Sequence, residues 1–408
     1  MNEPALGFDE QLLLTDPAFY LRPDRKALYR RLRNEAPVSF HPERVTPWRP
    51  QGGRGYWAVL RHKDVVEVTR NPKVYSSAQG TNPNDEPEAI VRALGMLHMD
   101  DPEHRWYRAI VQPAFSPAFL DNLMPMIVRN ADRVIDALLA DDEIDVVARL
   151  VNTYPINVIA DMLALPEADK PQFVEWTRLA FSPDRVRGEK AHHELIAYGT
   201  GLARERRRHP GDDVVSRIVT AQVEGRPLGD GEMGGFISLL IGAGAETTGS
   251  TIGGGLQLLH AHPDQWQKWK ADPALTQQAV DEILRSTSAV VNFRRTTTQE
   301  VTLAGQVIPV GSKVVMFYES ANNDEAVFER PDDFDIGRSA RKHLAFGAGG
   351  PHQCLGEQLG KREIRTFFDR FNARVGSFEI TKALRLAHSP RFNMVAELRG
   401  RFQAGERS

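Results

Sequence analysis

Cysteine is almost missing from this chain, since Cys354 is the only one among 408 residues. A single cysteine excludes an internal disulfide and any metal site built from several thiolates, and it fits a reducing compartment. Long apolar stretches are missing as well. No segment approaches the ~18 consecutive apolar residues of a membrane-spanning helix, and the N-terminal segment lacks the basic head and apolar run of a secretory leader. We therefore expect a cytoplasmic protein without a membrane anchor.

The chain also has little net charge. The chain carries 51 Lys and Arg against 54 Asp and Glu, a formal net charge of −3, so no overall field favours nucleic acid or an anionic membrane as a partner. Internal repeats and low-complexity linkers are absent from the sequence. Length alone favours two or three domains, but the lack of a linker predicts a single domain over residues 1–408.

Long amphipathic patterns, by contrast, are abundant. Apolar residues at three- and four-residue steps predict helices over 119–140 and 146–165. Residues 231–262 predict one very long helix that ends before a proline and is apolar on all sides, so it belongs in the core. Strand patterns are few and predict a β-richer part at about 36–65 together with 289–320. The expected fold class is therefore mainly α with small β-sheets.

The lone cysteine lies in a glycine-rich loop, FGAGGPHQCLG (346–356). Its glycines allow backbone conformations and close approaches that a Cβ would obstruct, and an amphipathic pattern predicts a helix beginning just after Cys354. Amide groups at the start of that helix would point toward the sulfur and lower the pKa of the thiol. A thiolate held in this way suits a catalytic nucleophile, a redox sensor or an axial metal ligand. A buried structural cysteine is the fourth interpretation, and the loop alone does not decide between them.

Two further motifs carry charge. Glu282 and Arg285 are three residues apart in DEILRS and so share one helix face, and Arg338 offers a second guanidinium to the same carboxylate. Taken alone, such a pair is most often a solvated surface feature. In the middle of the long helix, AGAETT places Glu246 beside Thr247, a stretch that is equally typical of close helix packing.

These pieces occur together and in one order, and in that combination the sequence resembles the cytochrome P-450 family of haem-thiolate monooxygenases. The resemblance extends from MDDPEHRWYRAIVQPAFSP (99–117) to Phe368. It implies the family's single-domain fold, in which haem b lies between a long central helix and the helix that follows the cysteine loop.

The resemblance also implies a role for each matching residue. Cys354 would be the proximal thiolate ligand of the haem iron, and Glu246 and Thr247 would be the acid–alcohol pair for oxygen activation. The residues expected to bind the haem propionates are His104, Arg108, Arg295 and His352. Further residues expected to contact the haem are Phe346, Gly347, Ala243 and Gly244. The family's acid–arginine triad, which locks the chain behind the cysteine loop, would consist of Glu282, Arg285 and Arg338.

The loop departs from the family pattern in length and in composition. Phe346 and Cys354 are eight positions apart, whereas seven is commoner in the family, and the extra glycine resembles lipid- and steroid-oxidising actinobacterial members. Glu357 stands where alanine is usual, and Gly360-Lys361 replaces alanine-arginine. These differences bear on the shape of the loop and not on the identity of the ligand.

The resemblance implies insertion of one atom of O₂ into an apolar small molecule such as a steroid, terpenoid, fatty-acid-like or polyketide compound, because thiolate ligation favours O–O cleavage. Electrons would come from a separate ferredoxin or flavodoxin with an NAD(P)H-dependent reductase. We expect a monomer. The predicted pocket wall consists of Leu239, Ala243, Val290, Val291 and Met394, under a roof formed by residues 80–97 and 170–190.

A basic face beside the cysteine loop would receive an acidic ferredoxin. Its members are Arg341, Lys342, Lys361, Arg362 and Arg365, and an ordinary solvated surface is the alternative interpretation. Two other functions stay open: a peroxide-driven or oxidative-coupling haem-thiolate enzyme, and a haem-binding protein without turnover. The intact acid–alcohol pair argues against the haem-binding protein, which has no need of proton delivery. In the peroxide-driven and oxidative-coupling enzymes that pair is often replaced.

Overall fold

A computed structural model describes residues 14–43, 52–85, 91, 95–180, 185–339, 342–387, 389 and 391–405. Helices dominate the described chain, as predicted. They are α1 (Arg25–Glu35), α2 (His62–Arg70), α3 (Glu103–Val111), α4 (Pro117–Leu138), α5 (Tyr154–Met162), α6 (Lys170–Ala180), α7 (Arg185–Arg208), α8 (Val214–Thr220), α9 (Asp230–Ala261), α10 (Pro263–Ala271), α11 (Thr276–Thr287), α12 (Tyr318–Asn322) and α13 (Glu357–Arg374). Single 3₁₀ turns cover Pro17–Leu21, Gly95–His98, Gln112–Phe115 and Pro273–Leu275.

The strands are short apart from one hairpin. They are β1 (Val38–His41), β2 (Tyr56–Val59), β3 (Tyr75–Ser76), β4 (Ile144–Asp145), β5 (Gln222–Val223), β6 (Arg226–Pro227), β7 (Asn292–Thr297), β8 (Val301–Leu303), β9 (Gln306–Ile308), β10 (Lys313–Phe317), β11 (Val375–Leu386) and β12 (Val395–Ala404). Among the described residues, five of them form a sheet in the order β1-β2-β10-β7-β3. The two predicted β-richer segments therefore meet in one sheet, where β2 and β10 pair in parallel.

Helix α9 confirms the prediction of one long central helix. Its N-terminus is capped by a hydrogen bond of 2.7 Å from the Gly229 amide to Glu232 Oε2, and Pro263 occupies the first position of the next helix. Gly249 lets the chain at Val151 approach closely, since a Cβ there would lie 2.1 Å from the Val151 carbonyl oxygen. Small residues thus allow α9 to run through the interior against its neighbours.

The prediction of one helix over 146–165 was wrong in its middle. A π-helical turn, Val147–Val151, is followed by a break and then by α5. Pro155 explains the break, because proline lacks the amide that would continue the ladder and clashes with the carbonyl four residues earlier. The long hairpin of β11 and β12, to which β4 adds a third strand, was missed because few positions of β11 are buried and register shifts interrupt the alternation.

The packing of the helices brings the two key motifs together. Helix α9 packs against α5, α7, α11 and α13, and α13 packs along α4. The approach is close, since a Cβ at Gly360 on α13 would lie 3.8 Å from Thr248 Oγ1 on α9. The cysteine loop leads directly into α13, so it lies next to the middle of α9. No helix in the described ranges combines the length and apolarity needed to cross a membrane.

Candidate functional site

The cysteine loop is a tight backbone structure. The Cys354 amide donates to the Phe346 carbonyl at 3.0 Å, and the Gly347 amide donates to the Leu344 carbonyl at 3.0 Å. Gly347, Gly349 and Gly350 have φ angles of 98°, 86° and 83°, a left-handed region that favours glycine. The loop therefore holds the cysteine by main-chain hydrogen bonds that depend on glycine at these positions.

The Cys354 side chain is accessible to solvent yet closely surrounded by protein. This burial raises the pKa of the thiol to about 11, while amide hydrogen bonds from Gly356 and Glu357 lower it in part. The amides at the helix start do point at the sulfur and lower the pKa of the thiol, as predicted, but desolvation outweighs them, so the net pKa is raised. A bound metal ion would supply the missing stabilisation, since a coordinating thiol is deprotonated by the metal.

Four cationic or imidazole side chains converge beside the loop. The rings of His104 and His352 lie 4.1 Å apart, centroid to centroid. Arg108 donates to the carbonyls of Pro351 and Gln353 at 3.1 and 2.7 Å. The side chain of Arg295 is buried and feels both histidines electrostatically.

Burial acts on all four members of this group, and the neighbouring cations act in addition on the two histidines. Burial and the positive charges of Arg295, His104 and Arg108 lower the pKa of His352 to about 2. Burial also lowers the pKa values of His104, Arg108 and Arg295. A buried group of this kind is costly unless an anion is present beside it. Its chemistry therefore fits a ligand with carboxylate groups.

The predicted oxygen-activation residues lie on the middle turns of α9. Ala243 is exposed although it belongs to a largely buried helix, and Gly244, Glu246 and Thr247 are half-buried. Thr247 Oγ1 donates to the Ala243 carbonyl at 2.6 Å, so the threonine bonds back to the helix as expected. Burial raises the pKa of Glu246 to about 7, which keeps this carboxyl able to hold and release a proton near neutral pH.

The acid–arginine group is fully internal. Glu282 and Arg285 form two hydrogen bonds of 2.7 Å, and Arg338 Nε donates to Glu282 Oε1 at 3.2 Å. Arg285 also donates to the carbonyls of Asn322 and Pro331. The interpretation of a solvated surface pair is wrong, because the side chains of Glu282 and Arg285 are 0% and 1% exposed.

The residues present fit a haem. One soft sulfur donor, Cys354, lies where the loop meets α13. The group of two arginines and two histidines could bind two carboxylates, and the small residues of α9 lie in the same interior region. Elsewhere in the described chain, no cluster of His, Cys, Asp and Glu could hold a metal ion. The donor set also matches haem better than zinc or calcium, which take several protein ligands.

The residues of the predicted pocket wall differ in their exposure. Leu239, Val290 and Met394 are half-buried and Ala243 is exposed, as wall residues would be. Val291 is 0% exposed and packs in the buried cluster that contains Phe317, so its side chain does not line an open pocket. Consecutive residues in extended chain point to opposite sides, which is why both valines cannot face the same space.

Parts of the predicted roof and of the basic face lie outside the described residues. These are 86–90 and 92–94, 181–184, and Arg341. The rest of the basic face is largely neutralised: Lys361 pairs with Glu357, Arg362 with Asp121 and Arg365 with Asp369. Sequence reasoning missed Asp121 because it belongs to α4, and only the packing of α4 on α13 brings it to Arg362.

Two residues of the cysteine loop were also missed. Gln353 accepts from the Gly349 amide at 2.8 Å and donates to Glu357 at 2.8 Å. Glu357 had been noted only as a departure from the family pattern. The i, i+4 spacing of Gln353 and Glu357 was the signal that pointed to this contact.

Comparison with known proteins decides the family. A model of the Cytochrome P450 family matches residues 171–372. A methyl-branched lipid omega-hydroxylase of Mycobacterium tuberculosis is 36% identical over 363 residues, which cover 86% of this chain and 85% of that protein. This chain belongs to the cytochrome P450 family. The resemblance and the fold class inferred from the sequence are thereby confirmed.

Other P450 relatives agree over nearly the full length. Linalool 8-monooxygenase of Pseudomonas putida is 32% identical, covering 94% of this chain and 97% of that protein. Steroid C26-monooxygenase of Mycobacterium tuberculosis is 33% identical, covering 89% and 85%. A Mycobacterium marinum cytochrome P450 solved in complex with pseudoionone superposes with a TM-score of 0.90 at 32% identity, covering 98% of this chain and all of that one. The protein is accordingly a P450 monooxygenase.

Proposed function

We propose that this cytochrome P450 hydroxylates a steroid, a terpenoid or a branched, fatty-acid-like lipid, with haem b bound through Cys354 and with electrons from a ferredoxin or flavodoxin. One observation carries the proposal. The fold gathers a single thiol, a group of two arginines and two histidines in which neither arginine forms an ion pair within the described chain, and an acid–alcohol pair around the middle of α9.

Each part has a physical task. When bound, haem supplies the redox chemistry that splits O₂ and inserts one atom into a C–H bond. Cys354 would supply the sulfur ligand to the iron, and the loop amides of Gly356 and Glu357 would stabilise its negative charge. Arg108 and Arg295 would neutralise the two propionates, and the rings of His104 and His352 would donate hydrogen bonds to them. The burial of the two arginines then costs less, because each buried charge gains a partner.

Two residues of α9 would deliver protons to the site. Glu246, with its pKa near 7, holds a proton at its carboxyl and passes it inward while regaining another from solvent. Thr247 Oγ1, held by its bond to the Ala243 carbonyl, has its lone pairs free to accept a hydrogen bond and so to orient the group that receives the proton. Replacing Thr247 by Ala should raise peroxide release at the expense of product. Unchanged coupling would contradict this role.

The substrate class rests on the pocket wall and on the relatives. Leu239, Ala243, Val290 and Met394 offer apolar surface, which selects by shape and hydrophobic contact. Relatives that match most of the chain are named for a methyl-branched lipid, linalool and a steroid. We therefore infer a substrate with a branched or fused hydrocarbon skeleton.

The electron donor is proposed to dock where α4 and α13 run side by side. Arg129 and Arg133 are exposed on α4 and stand one helix turn apart, and they add to Lys342, Lys361, Arg362 and Arg365. Opposite charge on a ferredoxin would speed the encounter, and salt would slow it. A reduction rate that does not change with ionic strength would overturn this docking face.

The absorption spectrum of the reduced, CO-bound protein tests the ligand. We expect a thiolate-type Soret band that is lost in Cys354→Ser, and a histidine-type band in the unaltered protein would refute the assignment. Substrate-induced spin shifts across a panel of branched lipids, terpenoids and steroids then identify the substrate. Turnover supported by hydrogen peroxide but not by a ferredoxin system would favour the peroxide-driven alternative.

A further inference from the structure

The extra residue of the cysteine loop is accommodated by a contact with α2. Gly350 has φ +83°, and a Cβ there would lie 2.6 Å from the Thr69 carbonyl oxygen. Arg70, the next residue, donates to the Ala348 carbonyl at 3.1 Å. The end of α2 thus packs closely against one side of the glycine turn. A second contact lies on the side of the turn that leads to Cys354.

A chain of side-chain hydrogen bonds supplies that second contact. The Gly349 amide donates to Gln353 Oε1 at 2.8 Å, Gln353 Nε2 donates to Glu357 Oε2 at 2.8 Å, and Lys361 Nζ donates to Glu357 Oε1 at 2.8 Å. Both ends of the Gln353 amide are used, so its orientation is determined. We call this chain, Gly349–Gln353–Glu357, the loop strap.

The loop strap spans the cysteine. Gln353 immediately precedes Cys354, and Glu357 opens α13 three residues later, so the strap joins the glycine turn to the first turn of the helix. The Glu357 and Lys361 side chains are 25% and 28% exposed, and partial shielding from water strengthens such charge-assisted bonds. An alanine at 357, the residue usual in the family, has no acceptor for Gln353.

We propose that Glu357 is a positioning residue of the cysteine loop, which through Gln353 holds the lengthened glycine turn and thereby the sulfur of Cys354. The inference rests on the proposed function, because it takes Cys354 as the haem ligand. It assigns a purpose to two departures from the family pattern at once: the extra glycine lengthens the turn, and the carboxylate compensates for the added freedom.

The test follows loss of the thiolate-type Soret band in haem-loaded, reduced, CO-bound protein, at a urea concentration below that of unfolding. We expect Glu357→Ala and Gln353→Ala each to speed this loss about tenfold, the effect of one charge-assisted hydrogen bond. The double variant should lose the band no faster than either single one, since both residues act through the same strap. Glu357→Gln keeps an oxygen acceptor for Gln353 and should remain within about twofold of the unaltered protein.

Two matched variants serve as controls on the same helix. Gln358→Ala removes an exposed amide from the first turn of α13, and Lys361→Met removes the cation but leaves the bond between Gln353 and Glu357 intact. Both should lose the band at close to the unaltered rate, and helical circular dichroism should be equal in all variants at the chosen urea concentration. Loss at the unaltered rate in Glu357→Ala, additive effects in the double variant, or a Glu357→Gln variant as labile as Glu357→Ala would each overturn the proposal. A thiolate-type band that survives in Cys354→Ser would instead refute the ligand assignment itself.

Discussion

Two groups of buried charges in this protein are built in opposite ways. In the group of Glu282, Arg285 and Arg338, one carboxylate receives both guanidinium groups, and the remaining donors reach backbone carbonyls. In the group around Arg108 and Arg295, the two guanidinium groups lie near His104 and His352 and lower the pKa values of both rings, and neither arginine forms an ion pair within the described part of the chain. Buried charges that complete one another stabilise the fold, whereas a buried excess of one sign marks a ligand site.

Breaking the group of Glu282, Arg285 and Arg338, in which the charges compensate one another, should have the largest effect on stability. Glu282→Ala leaves two buried guanidinium groups without their carboxylate, and we expect a loss of about 3–5 kcal/mol in the free energy of unfolding. Urea denaturation followed by circular dichroism measures it, with the exposed Glu329→Ala as the control. A loss below about 1 kcal/mol would mean that backbone carbonyls alone satisfy the two arginines.

Removing a charge from the group around Arg108 and Arg295 should instead raise the stability of the haem-free protein. Arg295→Leu removes a buried cation from a repulsive cluster, so the protein prepared without haem should gain about 1–2 kcal/mol of stability. The same variant should lose haem to an acceptor protein about 10- to 100-fold faster, because a charge-assisted bond to a propionate is gone. A destabilised haem-free variant would show that Arg295 belongs to the scaffold instead.

Glu246 is a largely buried carboxyl that no cation pairs with in the described chain. Its protonation should therefore make the stability of the protein depend on pH. Burial raises its pKa in the folded protein to about 7 from an ordinary value of 4.5. The folded state holds the proton more tightly, so its contribution to stability is complete below about pH 4.5 and is lost as pH rises through 7. The stability difference between Glu246→Gln and the unaltered protein, from urea midpoints, should therefore change across this window. A constant difference would place the carboxyl in a water-like environment.

Removing one partner of an exposed ion pair should have the smallest effect on stability. Asp121→Ala frees Arg362 on α13, and because surface pairs contribute little we expect a change in unfolding free energy below about 1 kcal/mol. If the docking face is correct, the freed arginine should speed reduction by an acidic ferredoxin about two- to threefold at low salt. A slower or equal rate would place the docking site elsewhere.

The motifs were readable from the sequence because each depends on local spacing. Cys354 stands just before an amphipathic pattern, Glu246 and Thr247 are consecutive, and the three-residue step from Glu282 to Arg285 places both side chains on one helix face. The break before α5 was missed because hydrophobic periodicity does not register what Pro155 does to the helix. Val291 was assigned to the pocket because a sequence pattern does not say which side of a strand faces an opening.

The family and the mainly helical class could be read from the sequence, because hydrophobic periodicity and the order of the motifs are properties of the chain itself. The roles of Cys354 and of the residues around it follow from the family resemblance and stay predictions. Which charges are compensated could be seen only in the folded protein, because the partners come from distant parts of the chain. Asp121 reaches Arg362 from another helix, and Arg295 reaches the two histidines from a strand far along the chain. The net pKa of the Cys354 thiol was likewise a tertiary outcome, because desolvation sums over all surrounding atoms while the helix amides act only locally.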